Sequence, residues 1–551
     1  MSIQVGDQVR THVVSNQVPD LVDYNLYARD VALCEAVRRE GAQGSVAELE
    51  QYGEWLGQAD QLAQGDAANR YAPELHAFDR TGHRVDQVAF HPAWHHFMGK
   101  AFEQGMHCSA WSDPGPGAHA ARAARYLMHG QIEAGTLCPL TMTSAAIPIL
   151  TREPWFGEIS NTLYGRSYDP RDLPAASKTS MLVGMGMTEK QGGSDLRSNT
   201  SQAIATDAGG GWYGLTGHKW FFSVPTSDAH LLLAREGDSA FSCFYVPRWL
   251  AEGQRNAIHI QRLKDKMGNR SNASAEVEFA GALGRRVGPE GKGIATLVEM
   301  ASMTRLDCVL GSAAILRQAV VQAMHHARHR RAFGSLLIHQ PLMRQVLADL
   351  ALESEAATAL AMRLARAFDA PDDPAEQALR RILTPAAKFW VCKRTIEATA
   401  ECMEVWGGNG YIEDGPMPRL YREAPVNSIW EGSGNVMCLD VLRAVSHDPD
   451  AAAELVEGIA RAHPDRLPLQ HLAQDLMAGF RAGDEAQQQA ARYTSQTLVL
   501  LVQADLLLRH APQWLADAFI DSRLGASGGR VFGVQVLAPA GDALFQRAWP
   551  E

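Results

Sequence analysis

Between about residues 180 and 285 the chain breaks into short β-rich stretches, and on both sides of them the spacing of apolar residues is helical. The stretches are "WYGLTGHKWFFS", "AHLLLARE", "FSCFYVPR" and "AEVEF", separated by Gly, Asp, Asn and Pro. Their length and alternation predict a small antiparallel sheet or barrel. After "GPEGKG" the period becomes helical: Met343, Val346, Leu347 and Leu350 fall at i, i+3, i+4 and i+7 on one face. Three long segments, roughly 294–332, 342–369 and 375–406, and a shorter one at 433–446 predict an antiparallel bundle. Residues 1 to about 178 read as mostly helical, and a break near "SHDPD" opens a last helical segment. A chain of 551 residues exceeds a single hydrophobic core. The expectation is therefore an α+β chain of four units: helical 1–178, β-barrel 179–286, helical bundle 287–446 and an extra helical unit 447–551.

Four stretches carry chemistry. In "NSIWEGSGN" (427–435) a single carboxylate, Glu431, follows Trp430 and precedes a Gly-Ser-Gly run. Glycine lets the backbone approach a ligand closely, and a carboxylate aimed and partly desolvated there would have a raised pKa, as a general base requires. The same residues also read as a helix start, with Ser433 as N-cap. In "GMTEKQGGSDLRS" (186–198), Thr188, Ser194 and the Gly192–Gly193 pair form either a ligand-cradling loop or a polar turn. In "GHKWFFSVP" (217–225), Phe221 and Ser223 alternate on a strand and share a face, which suits either a flat ring or plain β packing. In "EVWGGNGYIEDGPMPRLYRE" (404–423), Gly407 and Gly408 follow a long helix as a C-cap or as a ligand loop. No Walker A loop and no G-x-G-x-x-G after a strand is present, so a nucleotide cofactor would not bind in the Rossmann manner.

Taken together these stretches resemble the acyl-CoA dehydrogenase family of flavoproteins over about residues 50–446. "LCPLTMTSAA", "RLKDKMGNRSNAS", "VNSIWEGSGN" and the extra unit beyond residue 450 are similar to the AidB-like subgroup, which is linked to the response to DNA alkylation. The resemblance implies FAD as cofactor, with Met187, Thr188, Gly193 and Ser194 at the flavin and its pyrophosphate. It places Phe221 where the family usually has a tryptophan against the flavin ring, beside Phe222, and Ser223 at flavin N5. It places Arg330, Phe333 and Gln340 at the FAD of a neighbouring subunit and Gly407–Gly408 towards the adenine. Trp430, Ser433 and Asn435 become further FAD contacts, and Glu431 becomes the catalytic base. The activity implied is α,β-dehydrogenation of a short or branched acyl-CoA-like molecule, passing electrons to an acceptor, in a homo-oligomer built as a dimer of dimers. The subgroup implies an alternative: a flavoprotein that binds double-stranded DNA and protects it from alkylation.

Composition tests that alternative. The net charge is −11, which gives no global argument for nucleic acid or anionic membrane. Residues 451–551 hold eight arginines, no lysine and eleven acidic residues. Arg523 and Arg530, on the Gly-rich stretch "DSRLGASGGRVFG", are the candidates for duplex contact. The eight scattered cysteines read as reduced thiols. The first thirty residues have no signal-peptide pattern, and a cytoplasmic location is expected. The i, i+4 pairs His91/His95 and His325/His329 read as solvated helix faces, with no metal expected.

Overall fold

The computed structural model describes residues 11–206, 211–237, 240–525, 532 and 541–550. At its centre is the 37-residue helix Gly293–His329, whose side chains from Leu297 to Ala327 are nearly all buried. Its length and apolar composition would suffice to cross a membrane, but the whole apolar window is covered by the rest of the chain. The helices Pro341–Phe368 and Pro374–Val405 pack on it, and the second runs parallel to it, with Cys392, Thr395 and Trp406 bonding the carbonyls of Cys308, Ser312 and Gln322 in turn. Both begin with proline, which has no N–H to leave unpaired in the first turn. Asp373 caps the second, accepting from Ala375 N at 2.8 Å. Gly434–His447 completes this side, and Ala118–Ile132 and Leu137–Leu150 of the N-terminal unit cover the other.

The middle unit is a seven-stranded sheet curled on itself. Strands run in the order Val183–Gly186, Ala229–Glu236, Gln202–Ala205, Trp212–Ser223, Ser274–Val287 and Ala240–Pro247, and Ile258–Leu263 pairs with Ser274–Val287. Pairing of Ala229–Glu236 with Ala240–Pro247 closes the ring. The sheet is not purely antiparallel as the spacing suggested. Ala229–Glu236 runs parallel to both Val183–Gly186 and Gln202–Ala205, because these connections cross the barrel end instead of turning back. A bulge between Lys219 and Phe222 resets the pleat, so both point into the barrel while Phe221 stays 57% exposed outside.

Two features depart from the sequence expectation. The N-terminal unit contains a hairpin, Glu74–Phe78 with Arg84–Ala89, whose turn is tied by Asp79 accepting from Thr81 N (2.8 Å) and His83 N (2.9 Å). The C-terminal segment folds as Pro449–Ala462, Leu467–Phe480, Asp484–His510, Gln513–Leu524 and Gly541–Ala548, docked on the bundle. Arg523 lies on the helix Gln513–Leu524 and not on a loop. It pairs with Asp349 (2.6 Å) and Glu353 (3.0 Å), both nearly inaccessible to solvent. It is therefore a docking residue and is not free to meet a phosphate. Arg530 lies outside the described residues.

Arg523→Ala is expected to cost about 3 kcal/mol, since breaking a buried ion pair strands its carboxylates. The cost sits at the low end because Arg394 still serves Glu353 at 3.1 Å. The check is the thermal midpoint of the variant, which should fall measurably; an unchanged midpoint would remove the docking role.

Candidate functional site

Glu431 follows the short helix Val426–Ile429 and precedes Gly434–His447. Its backbone is left-handed, φ +59°, and Gly432 follows at φ +103°. A non-glycine residue in that region is strained unless its surroundings hold it. They do. Lys388 Nζ donates to the carbonyl oxygens of Trp430 (2.6 Å) and Gly432, and Arg305 Nε donates to the Glu431 carbonyl at 3.1 Å. The carboxylate receives one hydrogen bond, from Thr304 Oγ1 to Oε2 at 2.6 Å. Burial pushes its pKa up; the Thr304 bond and the charges of Arg305 and Lys388 only partly oppose this. Ser433 does occupy the N-cap position, with no side-chain cap bond. The helix-start and base readings of this stretch thus coexist.

The loop at 186–198 is held from beneath by Glu189. Its carboxylate accepts from Lys219 Nζ (2.9 Å), Thr200 N (2.7 Å), Ser201 N (3.1 Å) and Ser201 Oγ (2.7 Å). Those donors outweigh desolvation and hold its pKa well below the usual range. Asn199 Nδ2 donates to Met187 O at 2.7 Å, and Trp220 N to Thr188 O at 2.9 Å. Gly193 lies so close over Thr188 that any Cβ would collide with its side chain. Met187 and Thr188 are half-buried, Gly193 and Ser194 exposed.

Sequence reasoning missed a third wall. The Cys138 thiol faces the side chains of Ser223 and Asn272 and lies within the fields of Glu431 and Lys266; burial pushes it up to about 11. Lys266, Asn269, Ser271 and Asn272 sit on the loop between the last two strands of the barrel. Two buried carboxylates pin this loop: Glu423 accepts from Asn269 N at 2.9 Å, and Glu133 accepts from Ser271 Oγ. Burial, with Glu133 nearby, raises Glu423 to about 7 despite Arg419, and burial lowers Lys266 to about 8. In the sequence these residues fall in "RLKDKMGNRSNAS", which carries a resemblance but no sign of this wall.

The other expected site residues divide. Phe333 stands fully exposed at φ +51° on the tip of the hairpin Arg331–Ala332/Ser335–Leu336. Gln340 Nε2 ties that hairpin by donating to Ala332 O (3.0 Å) and Ser335 Oγ (2.8 Å), and Arg330 bonds Asn16 O. Gly407, at φ +61°, and Gly408 are exposed with open space around them. Trp430 is half-buried, its Nε1 donating to Asn427 Oδ1 at 3.0 Å, and Asn435 accepts from Arg492 at 2.9 Å. Phe222 differs: its ring is buried in the barrel against Phe279 and His230, so its side chain does not face the site. The histidine pairs are only in part the solvated faces expected: His329 is exposed, His91 and His95 are half-buried. His325 is buried and bonds Pro19 O at 2.8 Å, and His95 bonds Tyr168 at 2.9 Å. Among the described residues no cluster of His, Cys, Asp or Glu is placed to hold a metal.

The residues fit a flavin. Phe221 offers an exposed ring face with Lys264 Nζ 4.9 Å from its centroid. Beside it stand the Ser223 hydroxyl and the glycine cradle at 192–193. The chain matches three family descriptions: the adaptive response protein AidB N-terminal domain (residues 16–170), the acyl-CoA dehydrogenase middle domain (184–282) and the acyl-CoA dehydrogenase C-terminal domain (291–446). It is 48% identical to the AidB protein of Escherichia coli (strain K12) over 523 residues, 94% of this chain and 96% of that one. It is 30% identical to acyl-CoA dehydrogenase family member 11 of Caenorhabditis elegans, covering 77% of this chain and 71% of that one. In fold it resembles the crystal structure of Caenorhabditis elegans ACDH-11 in complex with C11-CoA, with TM-score 0.83 and 24% identity over 98% of this chain and 93% of that one.

Glu423 predicts a pH dependence. Its folded pKa, about 7, lies above the ordinary 4.5, so the proton favours the folded state. That contribution is complete below about 4.5 and is lost as pH rises through about 7. Between pH 5 and 8 the thermal midpoint of the wild type should therefore decline more steeply than that of Glu423→Gln. Parallel profiles would show that Glu423 does not titrate in this window.

Proposed function

The chain belongs to the acyl-CoA dehydrogenase family, and on that premise we propose that Glu431 abstracts the α-proton of a short or branched acyl-CoA. The protein is an FAD-dependent enzyme of acyl-CoA dehydrogenase type. When bound, FAD supplies the acceptor for the β-hydride, chemistry that belongs to the cofactor.

The observation that carries the reading is the left-handed turn that holds one desolvated carboxylate on a single hydrogen bond. A thioester α-proton is weakly acidic, so its base must be aimed and poorly solvated. Thr304 occupies Oε2 and leaves Oε1 to take the proton. Lys388 and Arg305 hold the turn through backbone carbonyls, so the carboxylate is aimed without being neutralised by a direct ion pair. In this reading the backbone N–H of Glu431 meets the thioester oxygen as negative charge builds there. Ser223 and the loop at 187–194 orient the ring, and Phe221 covers its outer face. The exposed Phe333 hairpin supports a second copy of the chain completing the site. Duplex binding gains no support from Arg523, which the bundle's carboxylates already hold.

Glu431→Gln should retain stoichiometric FAD and the wild-type visible spectrum. It should lose flavin reduction by any acyl-CoA that reduces the wild type, because an amide of the same shape cannot accept the proton. Anaerobic stopped-flow mixing measures this, and reduction at the wild-type rate would assign the base elsewhere. Thr304→Val removes the bond that favours the ionised carboxylate. The acid limb of the reduction rate should then move to higher pH with FAD content unchanged; an unmoved limb would show that Thr304 does not tune the base.

A further inference from the structure

Asn272 is 0% exposed, and among the described residues its amide Nδ2 and Oδ1 meet nothing stronger than the thiol of Cys138. A buried amide left without strong partners forfeits its hydration uncompensated, and each such group in a native structure calls for an explanation. Its backbone, by contrast, is fixed. Lys266 Nζ donates to Asn272 O, and Asn272 N donates to Asn269 O at 3.3 Å. Glu423 and Glu133 pin Asn269 and Ser271, which lead into it. Gly268 lies against Arg422 O and Gly135 against Ser271 Oγ so closely that a Cβ at either would collide. The loop cannot swing its amide out to water. The polar group that faces the amide is the Cys138 thiol, a weak donor and weak acceptor that also faces Ser223 and sits in the field of Glu431. Cys138 is 9% exposed and meets both this amide and the Ser223 side chain.

We propose that Asn272 is a recognition residue of the site, its amide reading a polar edge of the ligand that lies between Ser223 and Glu431. A primary amide presents a donor and an acceptor side by side. Its complement is a carbonyl next to an N–H, as on a flavin ring edge, or a hydroxyl, as on a substituted acyl chain. Straight alkyl chains offer neither. The inference rests on the acyl-CoA dehydrogenase reading for the identity of the ligand, though the unpaired amide stands independently of it.

The test uses the full-length chain with Asn272→Leu, which keeps the branched shape without the polar atoms, and Asn272→Ala, which cannot clash. Each is compared with wild type in three measurements. Without ligand, the thermal midpoint of Asn272→Leu should equal or exceed that of wild type, because replacing an unpaired buried amide by an apolar group relieves its desolvation. FAD titrated into flavin-depleted protein should bind ~10-fold more weakly to both variants if the amide reads the flavin edge. The third measurement compares 4-hydroxybutyryl-CoA with pentanoyl-CoA, which have nearly the same shape, by perturbation of the flavin spectrum. A wild-type preference of ~10-fold for the hydroxyl compound, abolished in both variants, is expected if the amide reads the acyl group. Either loss supports the proposal and identifies which ligand supplies the edge. A lowered ligand-free midpoint in both variants, with FAD affinity and acyl discrimination like wild type, would make Asn272 structural and overturn it. If wild type takes up FAD but no acyl-CoA perturbs it, the substrate reading fails while the FAD titration still decides the role of Asn272.

Discussion

The ion pair between Arg122 and Asp307 anchors the site from below. Both side chains are almost wholly removed from water, and the guanidinium grips the carboxylate through two bonds of 2.8 and 2.7 Å. Desolvating two ions costs several kcal/mol each, so such a pair survives only with good geometry and its remaining valences filled. Here they are filled: Thr141 Oγ1 donates to Asp307 at 2.7 Å, and Arg122 Nε donates to Met106 O at 2.8 Å. The bonds join three helices, Ala118–Ile132, Leu137–Leu150 and Gly293–His329, into one wall. Thr304 lies one turn before Asp307 on the last of these, so the pair that fixes Asp307 also fixes the hydroxyl that holds Glu431. Arg305, between them, donates to the Glu431 carbonyl and pairs with Asp440 at 2.8 Å. A proton-abstracting carboxylate needs a rigid seat. This helix is the seat.

The buried carboxylates show how one side chain serves different ends. Glu189 meets an ammonium, two backbone N–H groups and two hydroxyls, and stays ionised as a structural anion. Glu423 has one backbone N–H and a like charge nearby, and holds its proton to about 7 while pinning a loop. Among the described residues Glu431 has a single hydroxyl and no cation on its carboxylate. Environment, not residue type, separates these roles. Of the three, only Glu431 combines weak stabilisation of its anion with a partly open face.

Much of this was legible in the sequence, and the limit is physical. The three long helices begin and end within a few residues of the apolar period that predicts them, because burial of one stripe dictates both. The aim of Glu431 was legible from the glycines around it. The hairpin at 74–89 was not, since its strands are only five and six residues long and bury little apolar surface. Nor were the Glu189–Lys219 pair, the Glu133 and Glu423 clamps, or the neighbours of Asn272. Each joins residues far apart in the chain, where local periodicity says nothing. The burial of His325 beside the exposed His329 was hidden for the same reason: i, i+4 spacing fixes a shared face of the helix but not what covers that face.

The C-terminal segment shows why counting charges along a sequence says less than locating them. It looks like a net-acidic unit with arginines to spare for phosphates. In the fold Arg461, Arg466 and Arg509 sit on carboxylates of the segment itself. Arg523 and Arg547 reach into the bundle, to Asp349, Glu353 and Glu355. An arginine already held in a buried pair can neutralise a phosphate only by stranding its first partner, which costs more than a surface contact returns. Those three acids lie on Pro341–Phe368, a helix that also packs directly on the helix carrying Thr304. The segment therefore does its work through the bundle. By closing the outer face of Pro341–Phe368 it keeps water from the helices on which Glu431 depends, and its arginines are the cations that make burial of those acids tolerable.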